Sequence, residues 1–391
     1  MGRRIYFDNA ATSFPKPDCV HDAMMVFGRS IGASAGRGAY QEAMDAGEII
    51  HIARGRIAQL INAKKRESII MTFNCSDGLS MAINGIITDG DMHVITTCMD
   101  HNSVLRPLHA LTEKLGITVT HVKADAEGIV RPDDIAAAIT KKTKLIAVVH
   151  GSNVCGSIQD IAAIGKIAKT HQIPFLVDAA QTIGHRNIDV QALGIDVLVF
   201  PGHKGLLGPL GTGVMYVRDG FEDEMVPTRV GGTGSKSELP IHPDMMPDKF
   251  EAGSHNNIGI AGLGAAVQYL LDIGFEKIMA HDRLLIEAFY EGTEGISGLK
   301  VYGPRAFDQQ IGVFSVTLGD YEPAELAAIL EENFGLLTRS GIHCAPFAHQ
   351  ALGSAESGGT CRFSIGKYTT LDDIKVATSA LRQIADSCVH A

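Results

Sequence analysis

No stretch of this sequence is long and apolar enough to span a bilayer. The first residues, Met1-Gly2-Arg3-Arg4-Ile5-Tyr6, lead into no apolar run of signal-peptide length, and Tyr6 breaks the myristoylation pattern. Basic residues are in deficit, with 34 Lys and Arg against 44 Asp and Glu, a net charge of −10. That argues against a nucleic-acid surface and against a polybasic membrane patch, but leaves room for a local basic pocket. Cysteines number only seven, an odd count, and no two stand in Cys-x-x-Cys spacing. A disulfide framework or a zinc site is therefore not expected, and a reducing cytoplasm is the expected location. His242, His255, His281 and His349 form no ligand pattern, so no metal is expected either. Repeats and low-complexity tracts are also missing.

What is present is an ordinary globular composition, 45% hydrophobic and 20% charged, on 391 residues. That length suits one large domain plus a smaller one. Short apolar runs alternate with amphipathic segments through the first half. Strands are expected over 69–73, 93–97, 118–122, 145–150, 175–178, 197–200 and 213–217. Helices are expected over 78–87, 104–115, 132–139 and 161–170. Leu145-Ile146-Ala147-Val148-Val149 is apolar on both faces, as a sheet covered by helices on both sides requires. The alternation implies an open α/β sheet. The pattern breaks over 231–247 into Gly, Ser, Pro and Met, which reads as a long surface loop. Two long helices (258–272 and 275–294) follow, then strands over 313–318 and 362–365 with helices over 323–334 and 371–385, an α+β layout.

In an open parallel sheet, ligands bind beyond the carboxyl ends of the strands. Five such ends here carry hydrogen-bonding or titratable groups: Asn74-Cys75-Ser76-Asp77, Asp100-His101, His150-Gly151-Ser152-Asn153, Asp178-Ala179-Ala180-Gln181 and Gly202-His203-Lys204. Loops are polar in any case, but five together favour a polar site on one edge. Asp178 ends one buried strand, and Lys204 follows another that could be its neighbour. Pyridoxal 5′-phosphate chemistry uses such a pair, the lysine amine for a Schiff base and the carboxylate for the pyridine nitrogen. The spacing alone is equally compatible with a surface lysine in a Gly-rich turn and a structural aspartate. Asn74-Cys75-Ser76-Asp77-Gly78 stands between a strand and a helix, where a helix N-terminus and a hydroxyl could take a phosphate. An ordinary N-cap explains the same residues. Gly231-Gly-Thr-Gly-Ser-Lys-Ser237 and Gly259-Ile-Ala-Gly-Leu-Gly264 fit neither the P-loop nor the dinucleotide fingerprint.

Three blocks carry a resemblance. Val177-Asp178-Ala-Ala-Gln181, Gly202-His203-Lys204 and Arg339-Ser-Gly-Ile-His343-Cys344-Ala-Pro346 resemble signatures of the class V aminotransferases. Within that family they are similar to the cysteine desulfurase and selenocysteine lyase branch whose active cysteine lies in Arg-x-Gly-x-His-Cys-Ala. The similarity runs from Tyr6-Phe7-Asp8-Asn9-Ala10-Ala11-Thr12 to Arg362-Phe-Ser-Ile-Gly366. It implies the type I fold of pyridoxal-phosphate-dependent transferases, with a large domain over 16–260, holding a mixed, mostly parallel sheet covered by helices. A smaller α+β domain over 261–391 would be joined to it by the segment 1–15. Lys204 would be the Schiff-base lysine and Asp178 the pyridinium partner. Gln181 and Asn153 would contact the cofactor's phenolic oxygen, and His101 would stack on its ring. Cys75, Ser76 and His203 would hold the phosphate. Ser254 would reach the phosphate of a neighbouring subunit, which implies a homodimer. Arg362, with Asn153 and Arg339, would bind the substrate carboxylate, a task that suits guanidinium geometry.

The chain departs from the family at four places. Asn74-Cys75-Ser76 stands where Gly-Thr-Thr is usual, and Pro201, Ile342 and Tyr40 (after Gly36-Arg37-Gly38) replace a frequent Ser, His and His. Cys344 is the expected nucleophile, its thiolate favoured by positive neighbours His343 and Arg339. Cys19, Cys98, Cys155, Cys361 and Cys388 read as small hydrophobes. The resemblance implies conversion of L-cysteine to L-alanine, with sulfur held as a Cys344 persulfide and passed to an acceptor protein, as in iron–sulfur cluster assembly. Alternatives are a C–S lyase, a selenocysteine lyase or another class V aminotransferase activity, and a fold that has lost catalysis.

Overall fold

The computed structural model describes residues 4–35 and 38–388; Gly36, Arg37 and the side chain of Cys388 lie outside the described residues. In chain order the first body contains β1 (Ile5–Tyr6), α1 (Asp18–Val26), α2 (Gln41–Leu60), β2 (Ile69–Thr72), α3 (Cys75–Ile86), β3 (His93–Thr97), α4 (Asn102–Leu115), β4 (Thr118–Val122) and α5 (Pro132–Ala137). It continues with β5 (Thr143–Val149), α6 (Ile161–His171), β6 (Phe175–Asp178), β7 (Val197–Pro201) and β8 (Gly213–Val217). Seven of these strands form one sheet in the order β2-β8-β7-β6-β5-β3-β4. All neighbours run parallel except β8, which is antiparallel to both β7 and β2. Strands β5, β6, β7 and β8 are apolar and almost wholly buried, because helices cover both faces.

The chain from 226 to 256 has no helix or strand, so the loop expected over 231–247 is present and longer. Then follow α7 (Asn257–Ile273), α8 (Phe275–Thr293), β9 (Leu299–Tyr302), β10 (Val313–Leu318), α9 (Pro323–Phe334), β11 (Leu336–Leu337), β12 (Arg339–Gly341), α10 (Pro346–Leu352), β13 (Thr360–Ser364) and α11 (Leu371–Cys388). An antiparallel sheet, β12-β13-β10-β9, is backed by α8, α9 and α11.

Three main cores organise these elements. One joins one face of the large sheet to α1, α2 and α7; a second joins β10 and β13 to α8, α9 and α11 around stacked Phe289 and Phe314; a third joins the other face of the large sheet to α3 and α4. Helix α7 places Ile260, Leu263, Ala266, Val267 and Leu270 in the first core. A division at 260/261 therefore falls inside a helix whose buried face belongs to the large body; apart from Ile5 and Phe7, the buried residues of the second core begin in α8 at Leu285. Strand β1 pairs with β11, so the N-terminal segment returns to the second sheet. Among the described residues no single helix is long and apolar enough to cross a membrane.

Candidate active site

Parallel β5, β6 and β7 end side by side, and the residues that follow them line a cavity of about 140 Å³. Its walls include Cys75, Ser76, His101, Asn153, Asp178, Gln181, His203 and Lys204. Eight of the residues singled out from sequence are thus brought together. A larger groove of about 630 Å³ lies elsewhere, against Lys169, Asp196 and Arg218, none of which ends a strand at this edge.

Asp178 closes β6 and is 2% exposed. Its Oδ1 accepts from the Ala180 N–H at 2.9 Å and from the Cys75 thiol at 3.6 Å. Burial raises its carboxyl above the usual range, against the Ala180 N–H and the Lys204 charge, which lower it. Burial also lowers the Lys204 amine, although Cys75 and Asp178 pull the other way. A lysine held in a pocket in this way is suited to giving up a proton.

The β2–α3 turn is fixed by reciprocal capping. Asn74 Oδ1 accepts from the Asp77 N–H at 2.9 Å, and Asp77 Oδ2 accepts from the Phe73 N–H at 3.0 Å. The N–H groups of Cys75 and Ser76 take no acceptor among the described residues and stand at the positive end of α3. The helix N-terminus and the capping role therefore coexist. The Cys75 side chain turns away from the anion task toward Asp178, so only its N–H is left for an anion.

His101 caps α4, and its Nδ1 accepts the Ser103 N–H at 3.1 Å. Nδ1 is therefore unprotonated. Burial lowers this imidazole to about 4, with Lys204 and Arg339 adding to the effect, so the ring is neutral near pH 7. Ser103 Oγ also joins His101 Nδ1 at 2.9 Å to Ser76 Oγ at 2.6 Å, a link the sequence did not signal. His203 is held down at about 4, first by burial and then by Lys204 and Lys16, and its buried Nδ1 has no partner. The His203 carbonyl accepts from the Ser13 N–H at 3.0 Å, the Thr12 hydroxyl at 3.1 Å and Lys16 Nζ at 2.7 Å. The N-terminal segment thereby grips the peptide that precedes Lys204. Gln181 Nε2 donates to the Ala10 carbonyl of the same segment at 3.0 Å.

Cys344, Arg339 and Arg362 do not line this cavity; the Cys344 turn and Arg362 attach to it through Asn153. Asn153 Nδ2 donates to the His343 carbonyl at 2.6 Å, and the Asn153 carbonyl accepts from Arg362 Nη1 at 2.9 Å. Cys344 is exposed in the short link between β12 and α10. His343 and Cys344 both adopt left-handed backbone, φ 50° and 59°. Such residues cost about 1 kcal/mol or more each; the Asn153 contact and the Asn102 N–H on the Cys344 carbonyl at 2.8 Å hold them there. The expected positive charge on His343 is corrected by its surroundings. Its imidazole is buried, with Nε2 on Thr360 Oγ1 at 3.1 Å, and burial together with Arg362 lowers it to about 2. It is neutral, and the arginines are the positive charges near Cys344.

Arg362 is 1% exposed, and its Nη2 donates to Asp8 Oδ1 at 2.8 Å. Its Nε is buried without any acceptor. Ser254 is exposed and lies outside the cavity lining.

The sequence profile of the class V aminotransferases matches residues 5–376. A probable cysteine desulfurase of Methanothermobacter thermautotrophicus is 38% identical over 384 residues, covering 97% of this chain and 94% of that one. One from Pyrococcus abyssi is 36% identical over 98% of this chain and 94% of its own. The apo structure of the cysteine desulfurase from Thermococcus onnurineus NA1 superposes with a TM-score of 0.92 at 34% identity, covering 98% of this chain and 95% of that one. The profile match covers most of the chain and every residue of the cavity, so this chain belongs to the class V aminotransferase family.

Proposed function

We propose that the chain is a pyridoxal-phosphate-dependent cysteine desulfurase that converts L-cysteine to L-alanine and takes the sulfur onto Cys344. The observation that carries this is an exposed cysteine on a pinned left-handed turn, joined by one asparagine to a buried Lys–Asp pocket and to a buried arginine. Relatives at 31–38% identity that bear the name cysteine desulfurase support it.

The pocket fits the cofactor in three respects. Asp178 Oδ2 takes no donor among the described residues and would be left for a pyridine N–H. The unpaired N–H groups of Cys75 and Ser76 and the orphaned His203 Nδ1 suit a phosphate. Lys204 lines the same cavity with its amine. When bound, the cofactor supplies an electron sink beside the substrate's Cα. His101, neutral, would pack on the cofactor's ring without adding charge, and Gln181 and Asn153 would contact its phenolic oxygen.

Arg362 binds the substrate carboxylate through its free Nε–H edge and thereby aims the substrate sulfur at Cys344. Lys204 takes a proton at Cα and returns one to the product. The Cys344 thiolate, facing Arg339 and Arg362, attacks the substrate sulfur. The new S–S bond forms as the C–S bond breaks, its electron pair going to carbon, which gains a proton and becomes the methyl group of alanine. The persulfide sulfur then leaves to an acceptor thiol, on a carrier protein or a small thiol. A reducing cytoplasm suits this chemistry, and all six described cysteines are free.

We also propose a homodimer. Val230, Leu239, Ile241 and Met245 are exposed on the long loop. That loop is tied to the Ser254 turn by the Gly253 N–H on the Gly232 carbonyl at 2.8 Å. A subunit contact there would cover the apolar groups and carry Ser254 to the partner's phosphate.

The test is product analysis of the cofactor-loaded protein with L-cysteine and a thiol reductant, beside Cys344→Ala. Alanine and sulfide in equal amounts from the wild type, and neither from the variant, are expected. Pyruvate and ammonia, or an active variant, would leave a C–S lyase.

A further inference from the structure

The second sheet brings two like charges together. Arg339 on β12 and Arg362 on β13 are direct partners in the antiparallel ladder, so their side chains share one face. Like charges placed opposite each other repel unless an anion stands between or beside them. The anion present is Asp8, which reaches Arg362 Nη2 at 2.8 Å from a separate part of the chain. Arg339 has no ion-pair partner among the described residues.

Asp8 is not a flexible surface carboxylate. It bridges to Ser364 in parallel pairing, the Ser364 N–H donates to the Phe7 carbonyl at 2.7 Å, and Asn9 Nδ2 donates to the Ser364 carbonyl at 3.0 Å. The Tyr6 hydroxyl donates to the Asp8 carbonyl at 3.1 Å. Strand β13 therefore carries both Arg362 and the backbone that sets Asp8. The guanidinium is held on two sides, by Asp8 at Nη2 and by the Asn153 carbonyl at Nη1, while the buried Nε–H has no acceptor. The Nε–H, on the one guanidinium nitrogen without an acceptor among the described residues, is left for an incoming anion.

We propose that Asp8 is a specificity-determining residue, which orients Arg362 and cancels one of the two guanidinium charges so that the site accepts a single carboxylate and disfavours a dicarboxylate. This rests on the reading that Arg362 takes the substrate carboxylate. Two arginines and one aspartate leave one unmatched positive charge, enough for the α-carboxylate of an uncharged-side-chain amino acid. With one carboxylate bound, the two guanidiniums are balanced by that carboxylate and Asp8, so a second carboxylate on the ligand leaves the group net negative and feels the Asp8 charge in a poorly solvated site, where such interactions are strong. The nearby Cys344, which acts on Arg362 electrostatically when ionised, adds to the same bias.

The experiment is calorimetric titration of the cofactor-loaded protein with L-alanine and with L-aspartate, which reads binding without turnover. Wild type is expected to prefer L-alanine. Asp8→Asn keeps an acceptor for Nη2 and removes the charge, so the L-aspartate to L-alanine affinity ratio is expected to rise at least tenfold, whereas Asp8→Glu keeps the wild-type ratio. A ratio within threefold of wild type in Asp8→Asn overturns the proposal; should that variant not fold, Asp8→Ser carries the same test. Arg362→Ala separates the two levels of the argument. If it still binds L-alanine as wild type does, the placement of the carboxylate on Arg362 fails. If it loses L-alanine while Asp8→Asn leaves the ratio flat, only the role of Asp8 fails.

Discussion

Glu251→Gln is expected to weaken the protein by about 3 kcal/mol at pH 7, with a defined pH signature. Glu251 is 4% exposed and forms a two-pronged pair with Arg54, Nη1 on Oε1 at 2.7 Å and Nη2 on Oε2 at 2.6 Å. It also accepts from the Met71 N–H at 2.6 Å and pairs with His255 Nε2 at 2.9 Å. Arg54 belongs to α2 and Met71 to β2, so one carboxylate ties a helix, the edge of the sheet and the segment that carries Ser254. Burial alone would raise this carboxyl, but Arg54 and then His255 hold it at about 2, against an ordinary 4.5. That difference corresponds to about 3 kcal/mol of stability at neutral pH, at roughly 1.4 kcal/mol per unit. The folded value is the lower one, so the contribution is full above about 4.5 and fades as pH falls toward 2. Glutamine keeps the shape but leaves Arg54 charged and unpaired in a buried place. The assay is urea unfolding followed by far-ultraviolet circular dichroism at fixed protein concentration, since the chain has 0 tryptophans to report by fluorescence. A loss below about 1 kcal/mol at pH 7, or a gap between wild type and variant that does not narrow from pH 5 to pH 3, would refute the reasoning.

Two further substitutions probe the site. A Cβ at Gly213 would stand 2.5 Å from the Asn74 carbonyl carbon and 2.8 Å from its Cα, both backbone atoms that cannot swing away. Gly213→Ala is therefore expected to push the Asn74–Cys75 turn and to weaken pyridoxal-phosphate binding at least tenfold in an absorbance titration; unchanged affinity would mean that the turn does not hold the phosphate. His343→Asn removes an imidazole that stays neutral above about 2, so the pH profile of persulfide formation should not move between pH 5 and pH 9. A shifted acid limb would show that His343 ionises during the reaction.

The architecture was legible wherever burial imposed one pattern. The strands over 93–97, 175–178, 213–217 and 313–318 and the helix over 323–334 lie where their periodicity put them, because a doubly covered strand or an amphipathic helix must show its burial in sequence. Helix α2 was missed because half of its buried stripe is alanine, Ala43, Ala46, Ala53 and Ala58, and Arg54 is buried with them, which leaves little hydrophobic contrast. Strand β12 was missed because Arg339-Ser340-Gly341 has no apolar signal and exists as a strand only by pairing with β13.

The same division runs through the site. The sequence by itself determined the chemical groups at the ends of β2, β3, β5, β6 and β7, because an open α/β sheet sends those ends to one edge. By resemblance it also pointed to Cys344 and Arg362. Only the tertiary structure decided how these groups act. It made His343 neutral by burying it, turned the Cys75 thiol toward Asp178, and brought Ser103 between Ser76 and His101. It also set Asp8 against Arg362, residues at opposite ends of the chain. Protonation and pairing depend on neighbours brought in from distant segments, and spacing along a chain carries no record of them.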